Sequence, residues 1–466
     1  MEIKVVENVC KIDTDILVVN QFEGEKTTND LANKYAIEED NFKGKFGETY
    51  LLPTYGNAPY RKVLVLGFGK KEDFCPNKLR EAVAKAIKKC SQMEAKKVGF
   101  AFNNVDFDYS EQFTMGAFIA DYKFDKYKSE KKDKYVKEVF VQANEEGVKK
   151  AEKIAAAMTF ARNLANEPAQ FATPTELANI AQDFGLETKI YDREECEKMG
   201  MGAFLAVGRG SDEEPRFIHM KYTCDNPKKR IAIIGKGICF DSGGLDIKPA
   251  SSMITMKDDM SGAACVLGIM SIIKEFNPQV EVNGIIAACE NMPSGKAYKP
   301  GDIVTAKNGK TIEIDNTDAE GRLTLADALC YACELGVDEV IDLATLTGAC
   351  MVALGSHAAG IMGNDETLVH TLIDTAKRNG EKFWELPLWE EYFDSLKSEV
   401  ADMKNSGSRW GGASAAGVFL QKFVKDVKWA HIDIAGTAFL DKPQKELIAG
   451  ASGAGVRTLL GYILEQ

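Results

Sequence analysis

Histidine is scarce in this sequence, and the few that occur are not arranged as metal ligands. The 466 residues include four histidines, far apart and with no H-E-x-x-H motif, which disfavours a zinc site built mainly from histidine. The sequence also lacks the G-x-S-x-G motif of serine hydrolases and the G-x-x-x-x-G-K-[ST] loop of nucleotide triphosphatases. A catalytic site in this chain is therefore expected to use other groups.

Long apolar runs are absent, and the 58 lysines and arginines are outnumbered by 70 aspartates and glutamates. No run of about 18 apolar residues occurs, and the first residues do not combine a basic stretch with an apolar core. We therefore expect no membrane span and no signal peptide. The formal net charge of −12 disfavours binding to nucleic acid, and we interpret the lysine-rich stretch 121–135 as solvated surface. These features predict a soluble, cytoplasmic protein.

The eleven cysteines show no framework of pairs. A chain of this length does not need disulfides, so the pattern is typical of reduced thiols in a reducing compartment. Cys330 and Cys333 match C-x-x-C, but they lie within an apolar helical pattern and have no second pair. We interpret them as two buried helical cysteines.

Strand and helix patterns alternate along the chain. Apolar runs such as "KVLVLGFG", "RIAIIG" and "EVIDLAT" are typical of buried strands, and "SGAACVLGIMSIIKEF" is typical of a buried helix. The alternation predicts an α/β fold with two domains. A smaller N-terminal α/β domain is placed at 1–155. A larger C-terminal domain, with a mainly parallel central sheet flanked by helices, is placed at 156–466.

Charged residues gather where predicted strands end. The stretch "EIDNTDAEGRL" follows the predicted strand "TIEI", and Thr324 with Asp327 is expected to cap the next helix. A second cluster lies in "GKGICFDSGGLDIKP", and "MKDDM" opens a helix of small residues. Functional residues of α/β sheets collect beyond the carboxyl ends of strands, so we expect these clusters to converge. The candidates are Lys236, Asp241, Lys248, Asp259, Asp318, Glu320 and Arg322.

The four carboxylates among these candidates point to a pair of metal ions. Together they would carry a charge of −4, which two divalent cations would neutralise. Carboxylates that bridge two ions suit the arrangement in which metals activate water and stabilise a tetrahedral intermediate. Ser242 in "FDSGG" is a poor candidate for a nucleophile because no histidine lies near it in the sequence.

These residues resemble the leucyl aminopeptidase family, the M17 metallopeptidases. The signature "NTDAEGRL" is intact at 316–323, and "GKGICFDSGG", "MKDDM" and "NMPSGKAYKPGDI" stand in the order and spacing of the family. The resemblance extends from "ANEPAQFATPTELA" to "GASGAGVR" and so covers the C-terminal domain. The N-terminal domain matches only in length and α/β pattern, and is expected to be the macro-like domain of the family.

The resemblance implies roles for the charged residues. One metal would be held by Lys236, Asp241, Asp259 and Glu320, and the other by Asp241, Asp318 and Glu320. Lys248 and Arg322 match the catalytic pair, and the anion on Arg322 would be bicarbonate acting as general base. A ligating lysine must be neutral, and lowering its pKa from about 10.4 to about 7 costs roughly 4.6 kcal/mol. The metals expected are Mn²⁺ or Zn²⁺, with Mg²⁺ or Co²⁺ as alternatives.

The resemblance also implies a substrate and an assembly. The substrate would be a peptide with a free N-terminus, whose amine binds a metal. Met256, Thr345 and Gly348 match positions that line the pocket for the first side chain, and they suit leucine or another apolar residue. The subunits would form a homohexamer, and neither a membrane nor nucleic acid is expected as a partner.

Three positions depart from the pattern of the family, and two other functions stay open. Ser261 replaces a glycine, Asp246 adds an acid expected to affect metal preference, and Asp258 competes with Asp259 as a ligand, although the spacing favours Asp259. A dimetal phosphoesterase would need additional basic residues for phosphate. A scaffold that binds nucleic acid or a partner protein is disfavoured by the negative net charge.

Overall fold

The computed structural model describes residues 1–25, 42–131 and 136–466. Within these residues the chain forms two compact units. Unit 1 comprises Met1–Ala156 and Pro443–Ile448, and unit 2 comprises Ala157–Lys442 and Ala449–Gln466. Of the lysine-rich stretch 121–135, the last four residues lie outside the described part. None of the described helices is long and apolar enough to cross a bilayer.

Unit 1 is built on a sheet of six strands in the order β1-β6-β5-β2-β4-β3. Five of these strands are parallel, and only the edge strand β3 runs antiparallel to its neighbour. The strands are β1 (Glu2–Val5), β2 (Thr14–Phe22), β3 (Thr49–Pro53), β4 (Tyr60–Gly69), β5 (Lys97–Ala101) and β6 (Glu138–Val141).

Among the described residues of unit 1, two α-helices lie within the unit and a third leads out of it. They are α1 (Pro76–Gln92), α2 (Ser110–Asp121) and α3 (Glu145–Asn166). Helix α1 packs Leu79, Val83 and Ile87 into a core shared with the strands, because these residues recur at the spacing of one helix face.

Unit 2 is built on a sheet of eight strands in the order β15-β14-β17-β13-β9-β10-β8-β7. The four central strands β17, β13, β9 and β10 are parallel, whereas β14 runs antiparallel to β17 and β8 antiparallel to both β10 and β7. The strands are β7 (Glu187–Tyr191), β8 (Arg216–Tyr222), β9 (Arg230–Asp241), β10 (Glu281–Asn291), β13 (Glu339–Ala344), β14 (Ala359–Gly363), β15 (Phe383–Glu385) and β17 (Lys428–Asp433).

Smaller sheets and helices surround this central sheet. One small sheet contains β11 (Ile303–Thr305), β12 (Thr311–Glu313) and β16 (Met403–Lys404), and another contains β18 (Phe439–Leu440) and β19 (Gly450–Ala451). The remaining described helices are α4 (Pro174–Asp183), α5 (Arg193–Lys198), α6 (Gly202–Val207), α7 (Ala250–Met253), α8 (Ser261–Phe276), α9 (Gly321–Glu334), α10 (Gly348–Leu354), α11 (Glu366–Asn379), α12 (Gly412–Gln421) and α13 (Val456–Leu464). The fold confirms the predicted α/β class with mainly parallel central sheets.

Glycines allow helix α8 to lie directly against the central strands. A Cβ atom on Gly235 in β9 would lie 2.4 Å from the carbonyl oxygen of Gly262, and one on Gly262 would lie 2.1 Å from that of Leu343. Such distances are too short for any side chain, so the first turn of α8 needs glycine on both sides of the contact. This contact brings the residues just before α8 to the carboxyl end of β9.

Of two local predictions around the acidic stretch, one is confirmed and one was wrong. The strand "TIEI" is confirmed as β12, which is one residue shorter and pairs in the small sheet. Thr324 and Asp327 do not cap α9, which begins three residues earlier at Gly321, and both are fully buried inside it. The Asp327 carboxylate instead accepts hydrogen bonds from the backbone N–H groups of Phe204 and Lys307. The predicted helical cysteines both lie in α9, Cys330 buried and Cys333 half-buried, and all eleven cysteines are free thiols.

Candidate metal centre

Polar side chains collect at the carboxyl ends of the four central parallel strands of unit 2. Strand β9 ends with Asp241, β10 with Asn291 and β17 with Asp433, and Thr345 directly follows β13. Parallel strands end at the same edge of a sheet, so their last residues converge. Asp241, Asn291 and Asp433 are all almost completely buried. Water is therefore largely excluded from this edge.

Lys236 lies at the centre of the first half of the site. Its ammonium is 2.8 Å from Asp259 Oδ2 and 2.8 Å from Glu320 Oε1, and it donates a hydrogen bond to the carbonyl oxygen of Thr345. Thr345 in turn donates from its hydroxyl to Asp259 Oδ1. A Cβ atom on Gly321 would lie 2.6 Å from Cε of Lys236, so the start of α9 must be glycine for this lysine to reach the acids.

Lys248 forms the second half of the site. Its ammonium is 2.8 Å from Asp241 Oδ2 and 2.6 Å from Asp318 Oδ1. Asp241 Oδ1 also accepts hydrogen bonds from the backbone N–H of Gly243 and from Nδ2 of Asn291. Each lysine therefore bridges two carboxylates, and six predicted residues meet at one place.

Three of these acids are close enough to share a cation. Carboxylate oxygens of Asp241, Asp259 and Glu320 all lie within 4.8 Å of one another, and the three residues are buried. Oε2 of Glu320 is buried and accepts no hydrogen bond from any described residue. Buried carboxylates of this kind carry a large desolvation cost unless a cation or a proton neutralises them. The residues fit one or two divalent ions with oxygen ligands.

Burial and mutual repulsion change the pKa values of the acids. Burial raises the pKa of Asp259 well above its usual range, against the opposing charge of Lys236. Burial, with the nearby charge of Asp241, raises the pKa of Asp318 to about 6. Burial would lower the pKa values of Lys236 and Lys248, but the surrounding carboxylates outweigh it and raise both. In this structure both lysines are therefore cations.

The acidic turn 315–320 is held by Asn405, which lies about ninety residues later in the chain and is fully buried. Its Oδ1 accepts hydrogen bonds from the N–H groups of Asp315 and Asn316, and its Nδ2 donates to the carbonyl oxygens of Asn316 and Ala319. One amide side chain thereby satisfies four backbone groups of the turn. This network fixes the direction in which the turn presents Asp318 and Glu320.

Arg322 lies beside this network rather than on the lysines. Its guanidinium donates from one terminal nitrogen to the carbonyl oxygen of Asn405 at 2.8 Å and lies 6.0 Å from the ring centre of Phe419. Burial lowers the pKa of Arg322 to about 10, while Glu320 and Asp433 act in the opposite direction. Arg322 therefore remains a cation at neutral pH, and its Nε donates to no described residue.

Four other residues from the sequence analysis have defined contacts here. Ser242 donates its hydroxyl hydrogen to the carbonyl oxygen of Asn291 and has no histidine partner among the described residues, which agrees with its rejection as a nucleophile. Asp258 stands outside the group of three acids that includes Asp259; burial raises its pKa to about 7. Ser261 donates to the carbonyl oxygen of Asp258. Asp246 contacts Thr317 and is exposed rather than turned toward the buried acids.

The predicted substrate residues lie on segments around the site. Met256 is half-buried in a short 3₁₀ turn just before Asp259, and Gly348 is the exposed first residue of α10. Thr345 lies within the site itself, because it contacts both Lys236 and Asp259. Its part in a substrate pocket stays a prediction.

Sequence reasoning missed the residues that orient these groups. Asn291 joins Asp241 to the carbonyl oxygen of Thr317, and Tyr298 donates to that same oxygen. Asp433 accepts the hydroxyl hydrogen of Thr347 at 2.6 Å and so holds the loop that carries Thr345. Asn291 and Tyr298 lie in the stretch "NMPSGKAYKPGDI", and Asp433 lies at the end of a predicted strand, but the sequence does not show which groups their side chains contact.

Comparison with known proteins gives consistent matches over both units. The model of the cytosol aminopeptidase family, catalytic domain, matches residues 159–460, and that of its N-terminal domain matches residues 18–131. A probable cytosol aminopeptidase of Aquifex aeolicus is 46% identical over 453 residues, covering 94% of this chain and 92% of the relative. One of Persephonella marina is 47% identical, covering 92% and 90%.

Solved structures extend the comparison to three dimensions. The bottromycin maturation enzyme BotP is similar with a TM-score of 0.87 and 32% identity, over 97% of this chain and 99% of that chain. A structure of BotP in complex with Mn is similar with a TM-score of 0.88 and the same identity and coverage. The similarity therefore includes sequence, domain order and backbone geometry.

Proposed function

The chain belongs to the cytosol aminopeptidase family, and from that premise we propose an aminopeptidase that removes leucine and other apolar residues from peptide N-termini with two metal ions. Membership of the family makes the protein a metal-dependent aminopeptidase, a hydrolase that acts on peptides. The preference for leucine, the pair of metals and the roles of individual residues are the proposal.

The observation that carries the proposal is the cluster of alternating lysines and carboxylates near the end of β9. The buried Lys236 and the half-buried Lys248 each bridge two carboxylates, at N–O distances between 2.6 and 2.8 Å. Four acids and two lysines leave two negative charges at a largely buried site, where water screens them poorly. Such a cluster is costly to a folding chain, so it is expected to have a chemical use.

The residues that would hold the metals are those that meet in the cluster. Asp241, Asp259 and Glu320 would hold one ion with Lys236, and Asp241, Asp318 and Glu320 the other. When bound, two divalent ions polarise a carbonyl group and make water a stronger nucleophile at neutral pH. Mn²⁺ or Zn²⁺ is favoured, with Mg²⁺ or Co²⁺ as alternatives, because carboxylate-rich sites without histidine accept all four.

Lys236 must change its protonation state if it is a ligand. Its ammonium donates to Asp259, Glu320 and Thr345, whereas ligation needs the neutral amine. The surrounding acids raise its pKa, so the cost of deprotonation exceeds the estimate made from the sequence. Filling of that position is therefore expected to release a proton.

Lys248 and Arg322 have the charges that hydrolysis of a peptide bond needs. Lys248 stays protonated between Asp241 and Asp318, where it would stabilise the negative oxygen that develops as water adds to the carbonyl carbon. Arg322 has an Nε donor that no described residue uses, and it would hold bicarbonate, which accepts the proton of the attacking water. No protein side chain is then needed as the general base.

Specificity and assembly follow from the same proposal. A peptide with a free N-terminus would place its first side chain against Met256, Thr345 and Gly348, where an apolar residue such as leucine fits best. The subunits would assemble as a homohexamer in the cytoplasm, without a membrane or nucleic-acid partner.

The test is release of leucine from a leucyl chromogenic amide by metal-stripped protein to which Mn²⁺ or Zn²⁺ is restored. We expect cleavage with metal, none by Asp318→Ala and none of the N-acetylated substrate. Asp315→Ala is the matched control, since Asp315 is an exposed acid of the same turn whose carboxylate contacts Ser406 and Lys404. Bound metal without cleavage of any peptide that has a free amine would refute the proposal.

A further inference from the structure

The loop after β9 is fastened to the acidic turn by hydrogen bonds that run in both directions. Thr317 N–H donates to Asp246 Oδ2 at 2.7 Å, and Asp246 N–H donates to Thr317 Oγ1 at 2.8 Å. The Thr317 hydroxyl also donates to the carbonyl oxygen of Gly243 at 2.6 Å. Thr317 is fully buried, so these contacts form the inner side of the connection.

Each side of this connection carries one half of an ion pair in the site. Asp318 directly follows Thr317, and Lys248 lies two residues after Asp246. The loop closes on itself where Lys248 N–H donates to the carbonyl oxygen of Ser242 at 2.9 Å. The position of the Lys248 ammonium relative to Asp318 therefore depends on the register between the two segments.

The closing bond spans six residues, so Ser242–Lys248 is a short loop whose two ends are joined by a hydrogen bond. A Cβ atom on Gly243 would lie 3.0 Å from Asp318 Oδ1, and one on Gly244 would lie 3.1 Å from Thr317 Oγ1. Both glycines also have positive φ angles, of 88° and 67°. The loop thus approaches the acidic turn as closely as the backbone allows, and a slip between them would move Lys248.

We propose that Asp246 is a positioning residue, which holds Lys248 and Asp318 in register by accepting the hydrogen bond from Thr317 N–H. This inference rests on the proposed function of the same site. Asp246 stands outside the group of buried acids, and its exposed carboxylate acts through the loop. What matters is an acceptor oxygen at this point, not the negative charge that the sequence analysis linked to metal preference.

The test compares Asp246→Ala with Asp246→Asn in the full-length protein. Alanine removes the acceptor, and we expect kcat for leucyl amide cleavage to fall about tenfold, at the lower end of the effects of residues that orient ligands. KM should change much less, because the substrate does not contact Asp246. Asparagine keeps an acceptor oxygen, so Asp246→Asn should restore kcat to within about threefold of the parent, the size of an ordinary change in one hydrogen bond.

Binding of Mn²⁺ to the stripped protein, measured by calorimetry, gives a second readout that does not depend on turnover. We expect Asp246→Ala to weaken it by about tenfold and Asp246→Asn to leave it near the parent value. Asp315→Ala is the control for the loss of one exposed negative charge from the same region, and should leave both quantities unchanged. Thermal unfolding of each variant shows whether it is folded.

Two outcomes would overturn the inference. One is an Asp246→Ala variant with the kcat and Mn²⁺ affinity of the parent, and the other is an Asp246→Asn variant as impaired as Asp246→Ala, which would assign the effect to charge. The comparison of kcat requires an active parent protein, whereas the comparison of Mn²⁺ affinity does not. A parent that cleaves no peptide with a free amine would refute the proposed function instead, and the Mn²⁺ titrations would still test the positioning role.

Discussion

The two units end their parallel strands in opposite ways. In unit 1 the adjacent strands β5, β2 and β4 lead into Phe102, Phe22 and Phe68, and the ring centres of Phe22 and Phe68 lie 5.6 Å apart. In unit 2 the corresponding edge carries Asp241, Asn291 and Asp433. At one edge apolar rings contact one another, and at the other buried carboxylates contact cationic side chains.

The difference shows that the fold determines where the strand ends converge, whereas the residues at those ends determine what the edge can do chemically. Both sheets are mainly parallel and bring their strand ends together. Aromatic rings at such an edge bury their area against each other and add stability. Carboxylates at such an edge lose hydration and repel one another, which reduces stability and creates a binding site.

The largest effect is expected when one acid is removed from the charged edge. Glu320→Ala should lower kcat/KM by at least about 10³-fold, equivalent to about 4 kcal/mol, because it deletes the carboxylate that we propose to be shared by both metal positions. The matched change at the aromatic edge is Asn20→Ala, which breaks the hydrogen bonds between Asn20 and Asn103. Its folded fraction should keep the parent activity, measured as leucine release per folded molecule. An inactive Asn20→Ala would give unit 1 a part in the chemistry.

A buried ion pair within unit 1 should matter for stability alone. Arg80 and Glu446 are both buried, with the guanidinium Nε 2.9 Å from the carboxylate. Arg80→Ala removes the guanidinium that pairs with this buried acid, so the free energy of unfolding should fall by about 3–5 kcal/mol in urea titrations. Lys445→Ala removes an exposed pair with Glu81 and should cost less than about 1 kcal/mol. Equal effects of the two substitutions would contradict the expectation that the buried ion pair contributes more to stability than the exposed one.

Substitution of two asparagines in unit 2 should distinguish a residue that positions the site from one that only stabilises the fold. Asn405→Ala releases the acidic turn, and kcat should fall about 10–100-fold, as for other residues that orient metal ligands. Asn364 also joins backbone groups with its amide, to Val427 and Trp429, but at the opposite end of β17. Asn364→Ala should lower the melting temperature without changing kcat. A change in kcat as large as that of Asn405→Ala would remove the distinction.

The smallest effect expected is a pH dependence of metal affinity. The pKa of Asp318 is raised to about 6, so the carboxyl group is protonated below that pH and a bound proton must leave before a metal binds. From this group alone, Mn²⁺ affinity should fall about tenfold between pH 7 and pH 5, measured by calorimetry on stripped protein. Asp318→Asn should bind more weakly and lose this part of the dependence. A parent affinity that is flat over the same range would show that Asp318 is not a ligand.

The sequence was sufficient to predict the class of fold and the charged residues that converge. Strand patterns and acids at strand ends are local features, and an intact motif at 316–323 links them. The roles of the individual ligands stay predictions, although six of the seven candidates meet through the two lysines.

What could not be predicted depends on contacts between distant segments. Asn405 stands in a polar stretch without a motif, and only the folded chain brings its amide to the acidic turn. The sequence suggested that Asp246 affects metal preference. Its contact with Thr317 could not be predicted, because the two residues are far apart in the chain. The strand "TIEI" has the right alternation, but the alternation does not say which sheet it joins.

Residues 443–448 determine when unit 1 can be completed during protein synthesis. They follow β18, precede β19 and belong to unit 1, where Glu446 meets Arg80. Ribosomes add roughly 5–20 residues per second, so the counter-ion of Arg80 emerges roughly 15–60 seconds after the last residue of the first segment of unit 1. Unit 1 is thus completed only after most of unit 2 has been synthesised, and a gene cut after the first segment of unit 1 would encode Arg80 without Glu446.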